Sequence, residues 1–149
     1  MKQSKVRMFF RLGFGILAIL GTLHAALTCV DIFRPLFFRP HEAFLIDAMA
    51  GQNLVFAAMF MGNANMWSAW LGFSIGMGMG ALFTGMAGLY VTRDGMIPNQ
   101  TMRFFGIGVA LHYVVLAAFF WFYLPLIGFT ISLTSFVIAE IFARGENRG

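Results

Sequence analysis

The sequence predicts an all-α fold, a four-helix transmembrane bundle, and three observations carry that expectation. Of 149 residues, 60% are hydrophobic and 11% charged, with a mean hydropathy of +0.81; a water-soluble domain carries about 25% charged residues. The charges fall at the ends of uncharged runs, and those runs approach the ~20 residues that a helix needs to cross a bilayer. The basic residues are also unevenly shared between alternate connections. At this length one integral membrane domain, residues 1–149, is expected, with spans near about 9–30, 67–91, 103–124 and 126–143 and a long loop over 31–66.

The first helix follows from Lys2, Lys5, Arg7 and Arg11 leading into the uncharged run Leu12–Val30. A signal peptide begins the same way, but its apolar core is about 7–15 residues long and this run is about 19. Ala26-Leu27-Thr28-Cys29 also has threonine where a lipoprotein signal needs a smaller residue, so a retained span is expected. Cys29 is the single cysteine, which excludes an intrachain disulfide and a CxxC pattern.

The long loop is broken at Arg34-Pro35 and Arg39-Pro40, because proline lacks an amide donor and restricts the residue before it. A short interfacial helix is expected over His41–Ala50, with Glu42 near its positive end. Leu54–Met61 is apolar but too short to cross, and is expected at the interface or folded back. Gly62–Asn65 reads as a turn, and Trp67 and Trp70 mark a headgroup boundary.

The central helix, Trp67–Val91, is uncharged and crowded with glycine. At about 100° per residue its side chains sort into faces. Leu71, Ile75, Met79, Leu82, Met86 and Leu89 fall together and are expected to face lipid. Gly72, Gly76, Gly80 and Thr84 form one small-residue row. Ser74, Gly78, Ala81, Gly85 and Gly88 form a second, at the 4-3-4-3 spacing of a left-handed helix seam. Small residues let backbones approach in lipid, where apolar burial cannot drive association. The first row drifts by about 40° at each i+4 step, so it cannot be one straight contact line. The helix is therefore expected to meet neighbours on two sides.

Thr92–Thr101 is a polar loop in which Asn99 or Thr101 can cap the next helix. From Phe104 to Ala139 no residue is charged, which fits two spans joined by a tight turn at Pro125 and Gly128, with Trp121 and Tyr123 as interfacial anchors. The last span ends near Ala143, before a polar tail. With the N-terminus inside, Lys2, Lys5, Arg7, Arg11, Arg93, Arg103, Arg144 and Arg148 are cytoplasmic, against Arg34 and Arg39 outside. This positive-inside bias predicts an N-in, C-in topology with an extracytoplasmic loop. It also sets aside the sequon Asn99-Gln100-Thr101, which falls on the cytoplasmic side.

Met66-Trp67-Ser68-Ala69-Trp70-Leu71-Gly72-Phe73 resembles a family of small bacterial four-helix membrane proteins of unassigned activity, in which a Trp-x-Ala-Trp-x-Gly-Phe stretch opens the second span. Arg39-Pro40-His41-Glu42-Ala43-Phe44-Leu45-Ile46-Asp47-Ala48-Met49 is similar to their preceding loop. Members carry a polar Asn and Ser-His-Ser within the second helix. Here Ser74-Ile75-Gly76-Met77-Gly78 stands in that place, and most of the polar cluster is gone. The resemblance implies the four-helix fold and no activity.

Ionisable residues inside a membrane are costly and so are functional candidates. Three qualify: His24, His112 and Glu140. Paired histidines in a helical bundle can ligate haem, but these two differ in expected depth by roughly 9 Å at ~1.5 Å per residue. The plainer expectation is two neutral histidines hydrogen-bonded between helices, His24 near Thr28. Glu140 is expected to pair with Arg144 at i,i+4. The eleven methionines include no Met-x-x-x-Met, the spacing that aligns two thioethers for Cu(I) on one helix face, so they read as packing. No Ser/His/Asp triad, phosphate loop or HExxH motif occurs, and the basic residues flank apolar runs rather than forming a nucleic-acid patch. The leading expectation is a non-catalytic accessory or oligomerising membrane subunit, without a cofactor and surrounded by membrane lipid, acting as a homo-oligomer or within a larger membrane complex. The alternative is a lipophilic-ligand or redox protein holding quinone or haem among His24, His112, Phe104, Phe105, Phe119, Phe120 and Trp121. A small transporter ranks third.

Overall fold

A computed structural model describes residues 2–54, 64–93, 96–120 and 123–146. These form five helices: α1 (Lys2–Phe33), α2 (Ala43–Gly51), α3 (Met66–Val91), α4 (Gln100–Phe120) and α5 (Tyr123–Glu146). Four of them, all but α2, are long and apolar enough to cross a membrane. No strand forms among the described residues; the nearest feature is an isolated antiparallel bridge between Asn53 and Asn65. At ~1.5 Å per residue α1 is about 48 Å long, more than the ~30 Å hydrocarbon core, which leaves its basic first turns outside that core.

The helix ends have local causes. Asn65 Oδ1 accepts from the Ser68 amide (2.8 Å) at the start of α3, and Asn99 Oδ1 from the Met102 amide (2.9 Å) at the start of α4; each satisfies an amide that the first turn leaves orphaned. Glu42 is the N-cap of α2 but makes no side-chain cap bond. Instead it accepts from His41 Nδ1 at 3.3 Å. The last turn is where expectation and structure part. Pro125 belongs to the first turn of α5, where its missing amide has no helical role, and Gly128 lies inside the helix. Trp121, the Phe120 side chain, residues 55–63 of the expected interfacial segment and turn, and the tail 147–149 lie outside the described residues.

The chain forms two compact units. One comprises Met1–Leu20 with Ala81–Gly149, the other Gly21–Gly80. In the first, segments of all four long helices contribute to a core of Val6, Phe10, Phe14, Leu17, Ala81, Ala110, Tyr113, Ala117, Phe129, Phe136, Ala139 and Ala143. Phe136 is its pivot. The ring lies 4.7 Å from Phe14 and 5.3 Å from Phe10, centroid to centroid. It occupies a slot between two glycines, since a Cβ at Gly13 would fall 2.7 Å, and one at Gly106 3.0 Å, from its edge. Ser132 Oγ donates to the Gly13 carbonyl (2.9 Å) beside it.

α3 meets α1 along one seam in this unit. A Cβ at Gly85 would stand 2.6 Å from the Phe14 carbonyl oxygen and closer still to the Ala18 amide nitrogen, and one at Gly88 would enter the Phe14 ring. Glycine is needed here for close approach. In the second unit Gly78 of α3 makes a close approach of its own, since its Cβ would lie 2.8 Å from the Ala25 nitrogen of α1.

The outward face of α3 differs from expectation. Leu71 is buried and Leu89 packs against the core, whereas Gly72, Phe73, Gly76 and Phe83 are exposed. The row expected to face lipid sits on the helix flank, and among its members Met86 is the exposed one. The reason is geometric: Gly72, Gly76 and Phe83 lie about 180° from the Ser74–Gly88 seam at ~100° per residue.

Candidate functional site

The polar groups within the helices are held in separate arrangements. In the second unit, His24 on α1 and Ser74 on α3 face each other, with His24 Nε2 2.9 Å from Ser74 Oγ. Thr28, one turn after His24, lies 3.1 Å from Ser74 Oγ, and its own hydroxyl donates to the His24 carbonyl at 2.8 Å. Each hydroxyl has one proton to give. Thr28 has committed its proton to the carbonyl, so Ser74 must donate to Thr28 for that contact to be a hydrogen bond. His24 Nε2 is then the donor to Ser74. The loop therefore runs Nε2–H to Ser74 to Thr28 to the His24 carbonyl, and it fixes the tautomer. An iron bound through Nε2 would displace Ser74. The imidazole also packs against the Phe38 ring, centroids 4.8 Å apart and planes tilted by 46°.

Asp31, fully buried at the end of α1, is a second fixed point. Its Oδ1 accepts from the amides of Leu36 (2.7 Å) and Phe37 (2.9 Å), and its Oδ2 from that of Phe38 (2.7 Å). Three orphan amides after Pro35 thus converge on one carboxylate, a charge-assisted arrangement. Trp70 Nε1 then donates to the Phe38 carbonyl at 3.3 Å, joining the start of α3 to this loop.

In the first unit Glu140 on α5 carries two guanidinium partners. Arg144 Nε donates to Oε1 at 2.7 Å, the i,i+4 pair, and Arg103 Nε of α4 donates to Oε2 at 2.6 Å. Arg103 Nη1 also donates to the Pro98 carbonyl at 3.0 Å. The Arg103 and Glu140 side chains are 12% and 9% exposed, that of Arg144 62%. Glu140 is therefore the centre of an ion triad that ties α4 to α5.

His112 has no such setting. It is exposed on α4 and lies edge-on to the neighbouring Tyr113 ring at 5.5 Å, while Tyr113 itself stacks on Phe129. No described residue hydrogen-bonds its imidazole. The expected interhelical bond is not made among the described residues. His24 and His112 belong to different units. The small-residue positions divide as well: Gly78, Gly85 and Gly88 are packed and Ala81 is buried, while a Cβ at Gly72 or Gly76 would meet nothing within 4 Å. Gly80 is partly exposed. Among the proposed ligand-binding aromatics, Phe104, Phe105 and Phe119 are exposed. Among the described residues no group of three His, Cys, Asp or Glu side chains could hold a metal ion.

Sequence reasoning missed Ser74 as the partner of His24, Arg103 as the partner of Glu140, and the role of Asp31. The one usable signal was Asp31 standing just before Pro35, where a turn leaves amides without helical acceptors. No family model matches the chain, and neither does a curated protein or a solved structure.

Proposed function

We propose that this is a non-catalytic subunit of the bacterial inner membrane, oriented N-in and C-in, that associates with another membrane-embedded chain through the exposed face of α4. The observation that carries this reading is the setting of His112. It lies twelve residues after Gln100 and eight before Phe120, in the middle of an apolar helix, and is exposed there without a hydrogen-bond partner among the described residues. Polar side chains at such depth almost always face protein or a water-filled cavity. Exposed hydroxyls elsewhere satisfy themselves: Thr130 and Thr134 each donate to the carbonyl four residues back, at 2.7 and 2.8 Å. An imidazole facing lipid has no comparable outlet.

Gly108, one turn before His112, has open space where its Cβ would stand, so a second helix can approach closely there. The exposed Gly72 and Gly76 of α3 offer a further small-residue face. The orientation rests on the positive-inside rule, with Arg11, Arg93, Arg103 and Arg144 assigned to the inner side. The resemblance of Met66–Phe73 to small four-helix membrane proteins accords with the fold and adds no activity.

The test is mass photometry in nanodiscs of the parent chain and of His112→Leu, Gly108→Leu and Gly76→Leu. Interhelical polar bonds in membranes contribute about 0.6–1.7 kcal/mol, so His112→Leu should weaken association about three- to twentyfold, and Gly108→Leu should do so by steric exclusion. A parent chain that stays monomeric, alone and in native membrane extracts, rules the reading out.

A further inference from the structure

The loop between α1 and α3 borders an open cleft, separate from the α4 face. Its walls are Phe38, Arg39 and Pro40 from the loop, Met49 from α2 and Trp70 from α3, around a volume of ≈ 350 Å³. That lies within the range of about 300–1,000 Å³ typical of small-molecule sites. The walls are held from outside the cleft. Asp31 gathers the amides of 36–38 and Trp70 Nε1 is bonded to the Phe38 carbonyl, so the polar atoms of those wall residues are already spoken for.

Arg39 is the exception. It is exposed, and no ion pair joins it to a described carboxylate. Asp31 is engaged by the three amides and Glu42 by His41. The cleft thus presents an apolar interior with one guanidinium that makes no ion pair with a described carboxylate, the complement of a molecule that is apolar along most of its length and anionic at one end. The surrounding chain is equally apolar, with Phe33 89%, Phe37 53% and Phe44 65% exposed. Trp70, with its amphipathic indole, is of the type that sits at headgroup level, and planar guanidinium is suited to a phosphate.

We propose that this cleft binds an anionic phospholipid of the surrounding membrane, its phosphate against Arg39 and its acylglycerol portion against Phe38, Met49 and Trp70. Trp70 is itself the reporter. In the full chain with Trp67→Phe and Trp121→Phe, reconstituted in nanodiscs, brominated phosphatidylglycerol and brominated phosphatidylcholine are compared as quenchers of Trp70 fluorescence. The anionic lipid should quench at about fivefold lower mole fraction, the factor that one basic residue near a lipid surface supplies. Arg39→Gln should abolish the preference. Arg34→Gln, which removes a cation of the same loop outside the cleft, should leave it intact. Equal quenching by the two lipids in the chain with Arg39 overturns the proposal, whatever the variants do. So does an equal loss of preference in Arg34→Gln and Arg39→Gln, which would mean diffuse attraction rather than a site.

Discussion

Gly85→Ala should destabilise the protein by about 1–3 kcal/mol, even though alanine is the better helix former by about 1 kcal/mol. The added methyl carbon would stand 2.6 Å from the Phe14 carbonyl oxygen and 2.8 Å from the Ala18 Cα. Ordinary contact begins at 3.4 Å, so the two helices must part by at least about 0.8 Å, and by more at the still closer Ala18 amide nitrogen. Both neighbours are backbone, and no rotamer change relieves them. A gap of about 0.5–1 Å forfeits a quarter to a half of each dispersion well, and the loss extends along the seam to Gly88 and the Phe14 ring. Gly76→Ala is the matched control, because its methyl meets nothing within 4 Å; it should be neutral or slightly stabilising. The assay is equilibrium unfolding by titrating sodium dodecyl sulfate into mixed micelles, followed by far-ultraviolet circular dichroism. If Gly85→Ala falls within about 0.5 kcal/mol of Gly76→Ala, the size of an ordinary surface change, the close approach of α1 and α3 is wrong.

In the ion triad, Arg103→Gln should cost about 1–3 kcal/mol by stripping a nearly buried carboxylate of a charged donor. Arg144→Gln, at a side chain 62% exposed, should cost about 0–1 kcal/mol; equal shifts in thermal unfolding would show that Arg103 is not the interior partner. Asp31→Asn keeps one acceptor oxygen but turns an amide group toward an N–H, so at least one of the three loop bonds is lost, at about 1–3 kcal/mol. Hydrogen exchange at residues 36–38 should accelerate, and unchanged protection would remove Asp31 as the loop's anchor. Nitrogen-15 spectra should report His24 with its proton on Nε2, and Ser74→Ala should shift that resonance while leaving His112 unmoved. A proton found on Nδ1 alone would refute the hydroxyl loop.

The existence of the four long helices was legible because hydropathy reports transfer into lipid directly, and α3 was placed within one residue at its start. Which way each face turns was not. In water the apolar face of a helix is the inward one, but in a bilayer both the core and the surroundings are apolar. Leu71 and Gly72 therefore carry no sign of inside or outside, and the row through Leu71 was assigned to lipid although Leu71 is buried. The small-residue seam was readable as a close-packing line, because only glycine and alanine permit the Gly85 and Gly78 approaches. The glycine slot of Phe136 was not, since Gly13 and Gly106 stand on different helices and acquire meaning only when a third brings the ring. Polar partners are hidden for the same reason: Ser74 is fifty residues from His24 and Arg103 thirty-seven from Glu140. The turn before α5 was misplaced because proline signals a break and a first turn equally.

The polar groups also divide into those the described residues satisfy and one they do not. The His24 imidazole is bonded to Ser74, which Thr28 in turn ties to the His24 carbonyl; Asp31 is held by three amides and Glu140 by two guanidinium groups. Among the described residues no buried side-chain nitrogen or oxygen lacks a hydrogen-bond partner, as native interiors require. That completeness is what gives His112 its weight. For a protein in water an exposed imidazole is simply hydrated and calls for no explanation. On a helix that crosses hydrocarbon, exposure removes the imidazole from water without supplying a replacement, and an unmade bond there costs more than at any wet surface. Among the described residues the buried polar groups are answered and this one stands open on α4, a turn from Gly108, and that contrast is the support for the proposal that a second chain covers the α4 face.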